Sequence, residues 1–209
     1  MKTNIDPLSI VGGGLAGCEA AWQAAQAGID VNLYEMRPLQ KTEAHLTDSR
    51  AELVCSNSLG STLRNRPAGL LKEECKILRS LLVECAEASA LPAGDALAVD
   101  RERFSALVTE KISNHPRIQI IRKEVTEIPE TPAIIASGPL TSRKMAEAIS
   151  GLTGEDQLFF FDAIAPIVTA ASIDMQIAFR ASRYKYETDP HGDYINCPFT
   201  EEQYFTFLN

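Results

Sequence analysis

No stretch of this 209-residue chain is apolar for long enough to cross a bilayer. The opening residues, MKTNIDPLS, lack the apolar segment of an export signal, so no membrane partner is expected. The five cysteines are an odd number, and no two stand at CxxC spacing. That argues against a disulfide framework or a redox pair and reads as thiols in a reducing cytoplasm, with no metal site. Basic charge is also scarce. Twenty Lys and Arg against 28 Asp and Glu leave a net charge of −8, which excludes a protein that coats nucleic acid non-specifically but leaves room for a local basic patch. Internal repeats and low-complexity segments are missing, and no second glycine-rich segment follows Gly138.

The first thirty-five residues carry most of the information. An apolar strand, Leu8 to Val11, runs into Gly12-Gly13-Gly14-Leu15-Ala16-Gly17, and a second strand, Val31 to Tyr34, ends at Glu35. Each glycine answers a physical demand of a dinucleotide site. Gly12 permits the tight strand-to-helix turn, Gly14 lets the backbone approach a pyrophosphate, and Gly17 lets helix and strand pack closely. The pyrophosphate then meets the N-terminus of the following helix, where unpaired N–H groups and the helix dipole favour an anion. Small residues at 16, 20, 21, 24 and 25 suit a helix pressed on a sheet, and Gly28 is placed to end it. Glu35 stands where an acid accepts hydrogen bonds from ribose hydroxyls and disfavours a 2′-phosphate.

Met36 to Ser61 reads as a connector containing the short apolar piece Leu53-Val54-Cys55. Pro67 to Ala90 has helical spacing, with Leu70, Leu71, Leu78, Leu81, Leu82 and Cys85 on one face. Asp100 is placed to cap a helix through Phe104, Leu107 and Ile112, stopped by Pro116. Strands are expected at Ile118 to Ile121 and Val125 to Ile128, followed by a buried strand from Ala133 that ends at Gly138. That last segment is similar to the ATG signature of flavoproteins with the glutathione-reductase type of FAD fold, which favours FAD over NAD in the first site. Thr200-Glu201-Glu202-Gln203 has the form of a capping box, yet only about two helical turns follow, so the chain reads as truncated.

Cys55 lies in the polar setting AELVCSNS. Partial exposure beside positive charge, for which Arg50, Arg64 and Arg66 are at hand, would make it reactive; burial would make it inert. His45 is either a base or phosphate contact or an exposed loop histidine. Arg180, Arg183 and Lys185, interleaved with Tyr184 and Tyr186, form either an RNA contact by charge and stacking or a solvated strand face.

Taken together, VGGGLAGCEAAWQAAQAGIDVNLYEMRP, AELVCSNS, PAGDALAVDRERF, ASGPLTS, FFDAIAPIV and YINCPFTEEQY resemble the folate- and FAD-dependent tRNA uracil-5-methyltransferases, in the same order along the whole chain. The resemblance implies an α/β fold: a Rossmann-type FAD-binding domain of the glutathione-reductase type over 1–185, with the start of an inserted α+β domain over 186–209. It implies that FAD takes the glycine-rich site, that methylenetetrahydrofolate donates the carbon, that NAD(P)H reduces the flavin, and that a T-loop uridine of tRNA becomes ribothymidine. The cofactor-binding residues are then Gly12, Gly13, Gly14, Leu15, Ala16, Gly17, Glu35, Val125 and Gly138, and Cys55 matches the functional cysteine near the flavin. A family member runs to about twice this length, with a second functional cysteine in a Gly-Cys-Leu-Pro context beyond Asn209. Cys18 stands where relatives carry a small residue and is expected to pack. Cys75 and Cys85 are expected in the core or at its edge, and Cys197 is expected to be structural. Competing expectations are a plain FAD/NAD(P)H oxidoreductase, a sibling flavoprotein acting on another RNA uridine, and a nucleotide-binding fragment without activity.

Overall fold

The computed structural model describes residues 6–42, 44–130, 132–155, 168–182 and 191–208. In chain order the elements are β1 (Leu8–Val11), α1 (Leu15–Gln26), β2 (Val31–Glu35), β3 (Ser58–Ser61), α2 (Pro67–Ile77), α3 (Leu81–Ala88), β4 (Ala90–Leu91), β5 (Ala96–Val99), α4 (Arg101–Asn114), β6 (Ile118–Arg122), β7 (Ala133–Ile135), α5 (Arg143–Thr153), β8 (Phe179–Ala181), β9 (Tyr194–Asn196) and α6 (Glu201–Leu208). β6, β2, β1 and β7 form one parallel sheet in that order. This is the Rossmann arrangement, in which the connections leave β1 towards opposite sides and open a crevice at its carboxyl end. β3, β5 and β4 make a separate antiparallel sheet, and β8 pairs antiparallel with β9.

Local chemistry explains the central layer. Buried Gly17, Cys18, Ala21 and Ala25 turn the small-residue face of α1 onto Ile10, Val31 and Leu33 of the sheet. On the same core cluster, α4 contributes Phe104, Val108 and Ile112, and α3 contributes Leu81 and Cys85. Asp100 caps α4 as its position predicts, accepting from the Arg103 N–H at 3.0 Å. Truncating Phe104, which is fully buried, would cost about 3–5 kcal/mol. The reciprocal bonds of a capping box also form, from Thr200 N to Gln203 Oε1 at 2.9 Å and from Gln203 N to Thr200 Oγ1 at 3.2 Å.

Several expectations are corrected. The segment from Pro67 to Ala90 is two helices: Arg79 adopts a left-handed φ of 57°, and Ser80 caps α3 by accepting from Val83 N–H. Leu70, Leu71 and Leu78 are therefore exposed, while Leu81 and Cys85 of the supposed face are buried in the core and Leu82 packs against it. Val125 to Ile128 is not a strand. The strand after it is shorter than expected, ending at Ile135, and it is an edge of the sheet with Ile134 exposed. Cys197, expected to be structural, is exposed, whereas Cys18 is buried and Cys75 half-buried, as expected. The boundary expected at 185/186 falls outside the described residues, between β8 and β9, which pair antiparallel. Arg183, Tyr184, Lys185 and Tyr186 lie outside the described residues, as does all but Val168 of FFDAIAPIV. Arg180 is exposed on β8 and donates to the Gly192 carbonyl at 3.3 Å.

Candidate dinucleotide site

The crevice at the carboxyl ends of β1 and β2 is a cleft of about 330 Å³. Gly12, Gly13, Gly14, Leu15 and Ala16 form one wall, and Glu35, Val125 and Gly138 also line it. Gly12 has φ +111°, a conformation that side chains rarely adopt, and donates its N–H to the Tyr34 carbonyl at 2.8 Å. A Cβ on Gly17 would run into the carbonyl oxygen of Gly12, so this glycine sets how closely α1 approaches β1. Gly14 differs from both: it faces open space, with no atom within 4 Å of where a Cβ would stand.

These features fit a diphosphate. The first N–H groups of α1 have no acceptor within the helix. Its first turn carries no acidic side chain, and the approach past Gly14 is clear. An anion placed there meets the positive end of the helix dipole. Among the described residues no cluster of His, Cys, Asp or Glu is placed to hold a metal ion.

Glu35 is more committed than its spacing suggests. Its Oε1 accepts from Arg37 N at 2.9 Å and Arg37 Nε at 3.1 Å, while Oε2 accepts from Arg37 NH2 at 3.0 Å and Gly13 N at 3.1 Å. Burial alone would raise this carboxyl, but the hydrogen bonds and charge of Arg37 outweigh it and hold the group below its ordinary value. A carboxylate has about four lone-pair sites and these four bonds occupy them, so a ribose hydroxyl has to share an oxygen with one of the present donors. The Gly13 N–H is likewise already used.

Arg37 extends the network. Its NH1 donates to Glu52 Oε2 at 3.0 Å and to the Thr47 carbonyl at 3.2 Å. Glu52 in turn accepts from Leu46 N at 2.8 Å and from the Thr47 hydroxyl at 2.8 Å. The connector is thereby folded over the cleft, and Arg37, His45, Glu52 and Val54 join its lining. His45 is half-buried, which corrects the exposed-loop expectation, and its Nδ1 is 2.7 Å from Thr42 Oγ1. Burial first, and the charge of Arg37 second, push its pKa below the ordinary histidine value, so the ring is neutral at pH 7. Sequence spacing offered no signal for Glu52. Arg37 was visible only within the YEMRP block.

Cys55 is exposed, not buried, next to the cleft-lining Val54 but outside the lining itself. Its carbonyl accepts from Arg101 NH2 at 2.8 Å. Of the three arginines expected near it, Arg50 is fully buried and packs against Gly13. Cys18 donates Sγ–H to the Gly13 carbonyl at 3.3 Å, and burial pushes its thiol up to about 12. Such a group is inert packing.

A family model described as Glucose inhibited division protein A matches residues 7–209. A protein of Heliobacterium modesticaldum named methylenetetrahydrofolate--tRNA-(uracil-5-)-methyltransferase TrmFO is 56% identical over 201 residues, covering 96% of this chain and 45% of that protein. Proteins of the same name are 56% identical in Natranaerobius thermophilus and 51% identical in Bacillus subtilis, the latter over 98% of this chain and 46% of its own. The chain thus spans about half the length of the curated relatives it matches.

Proposed function

The chain belongs to the Glucose inhibited division protein A family, and from that membership we propose that the full-length protein is an FAD- and folate-dependent enzyme that methylates uridine at C5 in the T-loop of tRNA. The observation that carries this reading is the exposed Cys55 beside Val54 at the rim of the dinucleotide cleft. The substrate class follows from the names borne by relatives that share half or more of these residues.

The α1 amides from Leu15 to Gly17 hold the diphosphate of FAD, with Gly14 leaving it room, and Glu35 takes the ribose. Val125 and Gly138 line the rest of the cleft. FAD, once bound and reduced by NAD(P)H, supplies the two electrons that turn a methylene carbon into a methyl group. Methylenetetrahydrofolate brings that carbon. Uracil C5 is a poor nucleophile until a thiolate adds to C6, which places electron density on C5; the C5 proton must then leave. Cys55 serves as that nucleophile or as the base for that proton. On this reading residues 1–185 belong to the FAD-binding domain and 186–209 begin an insertion. A cytoplasmic setting agrees with five cysteines that are all thiols.

The test is to supply the full-length protein with methylenetetrahydrofolate, NAD(P)H and tRNA lacking ribothymidine, then digest the RNA for mass analysis. Ribothymidine at the T-loop position is expected. Its absence from an FAD-loaded preparation would overturn the function, and a methylated uridine in another RNA would reassign the substrate.

A further inference from the structure

Arg50 is fully buried, and among the described residues only NH1 of its guanidinium nitrogens has a partner, the Asp48 carbonyl at 2.8 Å. Nε and NH2 are shut away from solvent with no acceptor among the described residues. A buried charge with unmade hydrogen bonds is costly, and buried arginines are normally paired. The backbone that carries it is nevertheless held firmly. Arg50 N donates to Thr109 Oγ1 at 2.8 Å, and the next residue, Ala51, donates its N–H to the Gly13 carbonyl at 3.0 Å.

These anchors press the guanidinium against the underside of the glycine turn. A Cβ on Gly13 would fall 2.7 Å from Glu35 Oε2, 2.9 Å from Arg50 Cδ and 3.4 Å from Nε, so the Arg50 side chain lies against the Gly13 peptide, which lines the cleft. The ionised groups acting on it are Glu35, of opposite sign, and Arg37 and Arg122, of the same sign. Arg37 is bonded to both Glu35 and Glu52. Arg122 bonds the Arg37 carbonyl and Asp48.

We infer that Arg50 is a positioning residue for the diphosphate: its positive charge acts through the side-chain-free turn on an anion at the α1 N-terminus. The cost of burying it is offset when that anion binds. This inference rests on the dinucleotide site proposed above. The low dielectric beneath the turn and the absence of solvent between charge and cleft favour a long reach.

The experiment uses the full-length protein stripped of flavin and compares wild type with Arg50→Met and Arg50→Lys. Binding of FAD, ADP and adenosine is measured by calorimetry, and melting is followed without ligand. Arg50→Met is expected to bind FAD and ADP about tenfold more weakly or worse, on the scale of one charge acting across a few ångströms of protein. Its adenosine affinity should be unchanged, and its ligand-free melting no lower than wild type, because an ill-satisfied charge has been removed. Arg50→Lys should recover most of the ADP affinity. Equal losses for ADP and adenosine, or no loss for either, would overturn the inference. So would ligand-free melting well below wild type in both variants, which would make Arg50 a structural brace. A wild-type protein that binds neither FAD nor ADP would instead refute the dinucleotide site itself.

Discussion

Arg37 grips the Glu35 carboxylate with its backbone N–H and two guanidinium nitrogens, from only two residues further along the chain. Both groups are buried, so the pair braces the cleft as well as serving any ligand. Glu35→Ala would leave Arg37 with Glu52 and the Thr47 carbonyl, and Gly13 N–H without its acceptor. We expect it to lower stability by on the order of 3 kcal/mol even without nucleotide, as breaking a buried ion pair does. Denaturant titration of the ligand-free protein checks this, and an unchanged midpoint would show the acid to be a ribose contact only.

The same pair sets an acid limit. The folded-state pKa of Glu35 is below its ordinary 4.5, so the unfolded chain binds this proton more readily than the folded one. Its contribution is fully present above pH 4.5 and is lost as pH falls through the lower folded value. Melting temperatures taken downward from pH 5 should therefore fall more steeply in wild type than in Glu35→Gln. Parallel curves would assign the acid sensitivity elsewhere.

Gly14 and Gly17 should respond oppositely. A Cβ at Gly14 meets nothing, and its φ of −77° suits any residue, so Gly14→Val should keep the ligand-free melting temperature while losing FAD to the side chain now in the diphosphate's path. Gly17→Ala forces a methyl onto the Gly12 carbonyl and should cost about 1–3 kcal/mol before any ligand is added. Flavin absorbance of the purified variants and their melting curves separate the two.

Alkylation should divide the five thiols by burial. Brief iodoacetamide treatment of the native protein, followed by peptide mass analysis, should label the exposed Cys55 and Cys197 and spare Cys18 and Cys85. Burial raises these last two thiols to about 12 and about 11. Native labelling of Cys18 would contradict its packing beneath the turn.

Cys55→Ala removes an exposed atom and opens no cavity, so stability should stay within about 0.5 kcal/mol of wild type. Flavin content should hold as well, while ribothymidine formation is abolished. Wild-type product from this variant would exclude the thiol from the chemistry.

What the chain disclosed about itself divides by the range of the interactions. β1, α1 and β2 were legible because the glycines, small residues and terminal acid act on neighbours at fixed spacing. The cap at Asp100 is local in the same way. The split at Arg79 was hidden by leucines that continue a helical period across it. β3 and β5 were missed because Ser-Leu-Gly-Ser is polar and glycine-bearing, and Ala-Leu-Ala-Val lacks alternation; they are strands because they pair with each other. The site divides alike: the glycines and Glu35 could be read off, whereas Arg50 depends on Thr109 and Gly13, far away in sequence, and Glu52 and His45 on a connector without periodicity that folds back on Arg37.

The order β6-β2-β1-β7 also has a consequence in time. During synthesis β1, α1 and β2 emerge as one contiguous unit, and their parallel pairing can form at once. The outer strands come much later: β6 waits for residue 122 and β7 for residue 135. At about 5–20 residues per second, the glycine turn exists for several seconds on a two-stranded sheet with both edges open. A nascent chain in that interval has the glycine turn but not the strands that flank it, so it cannot shield its sheet, and chaperone protection would matter most before Arg122 leaves the ribosome.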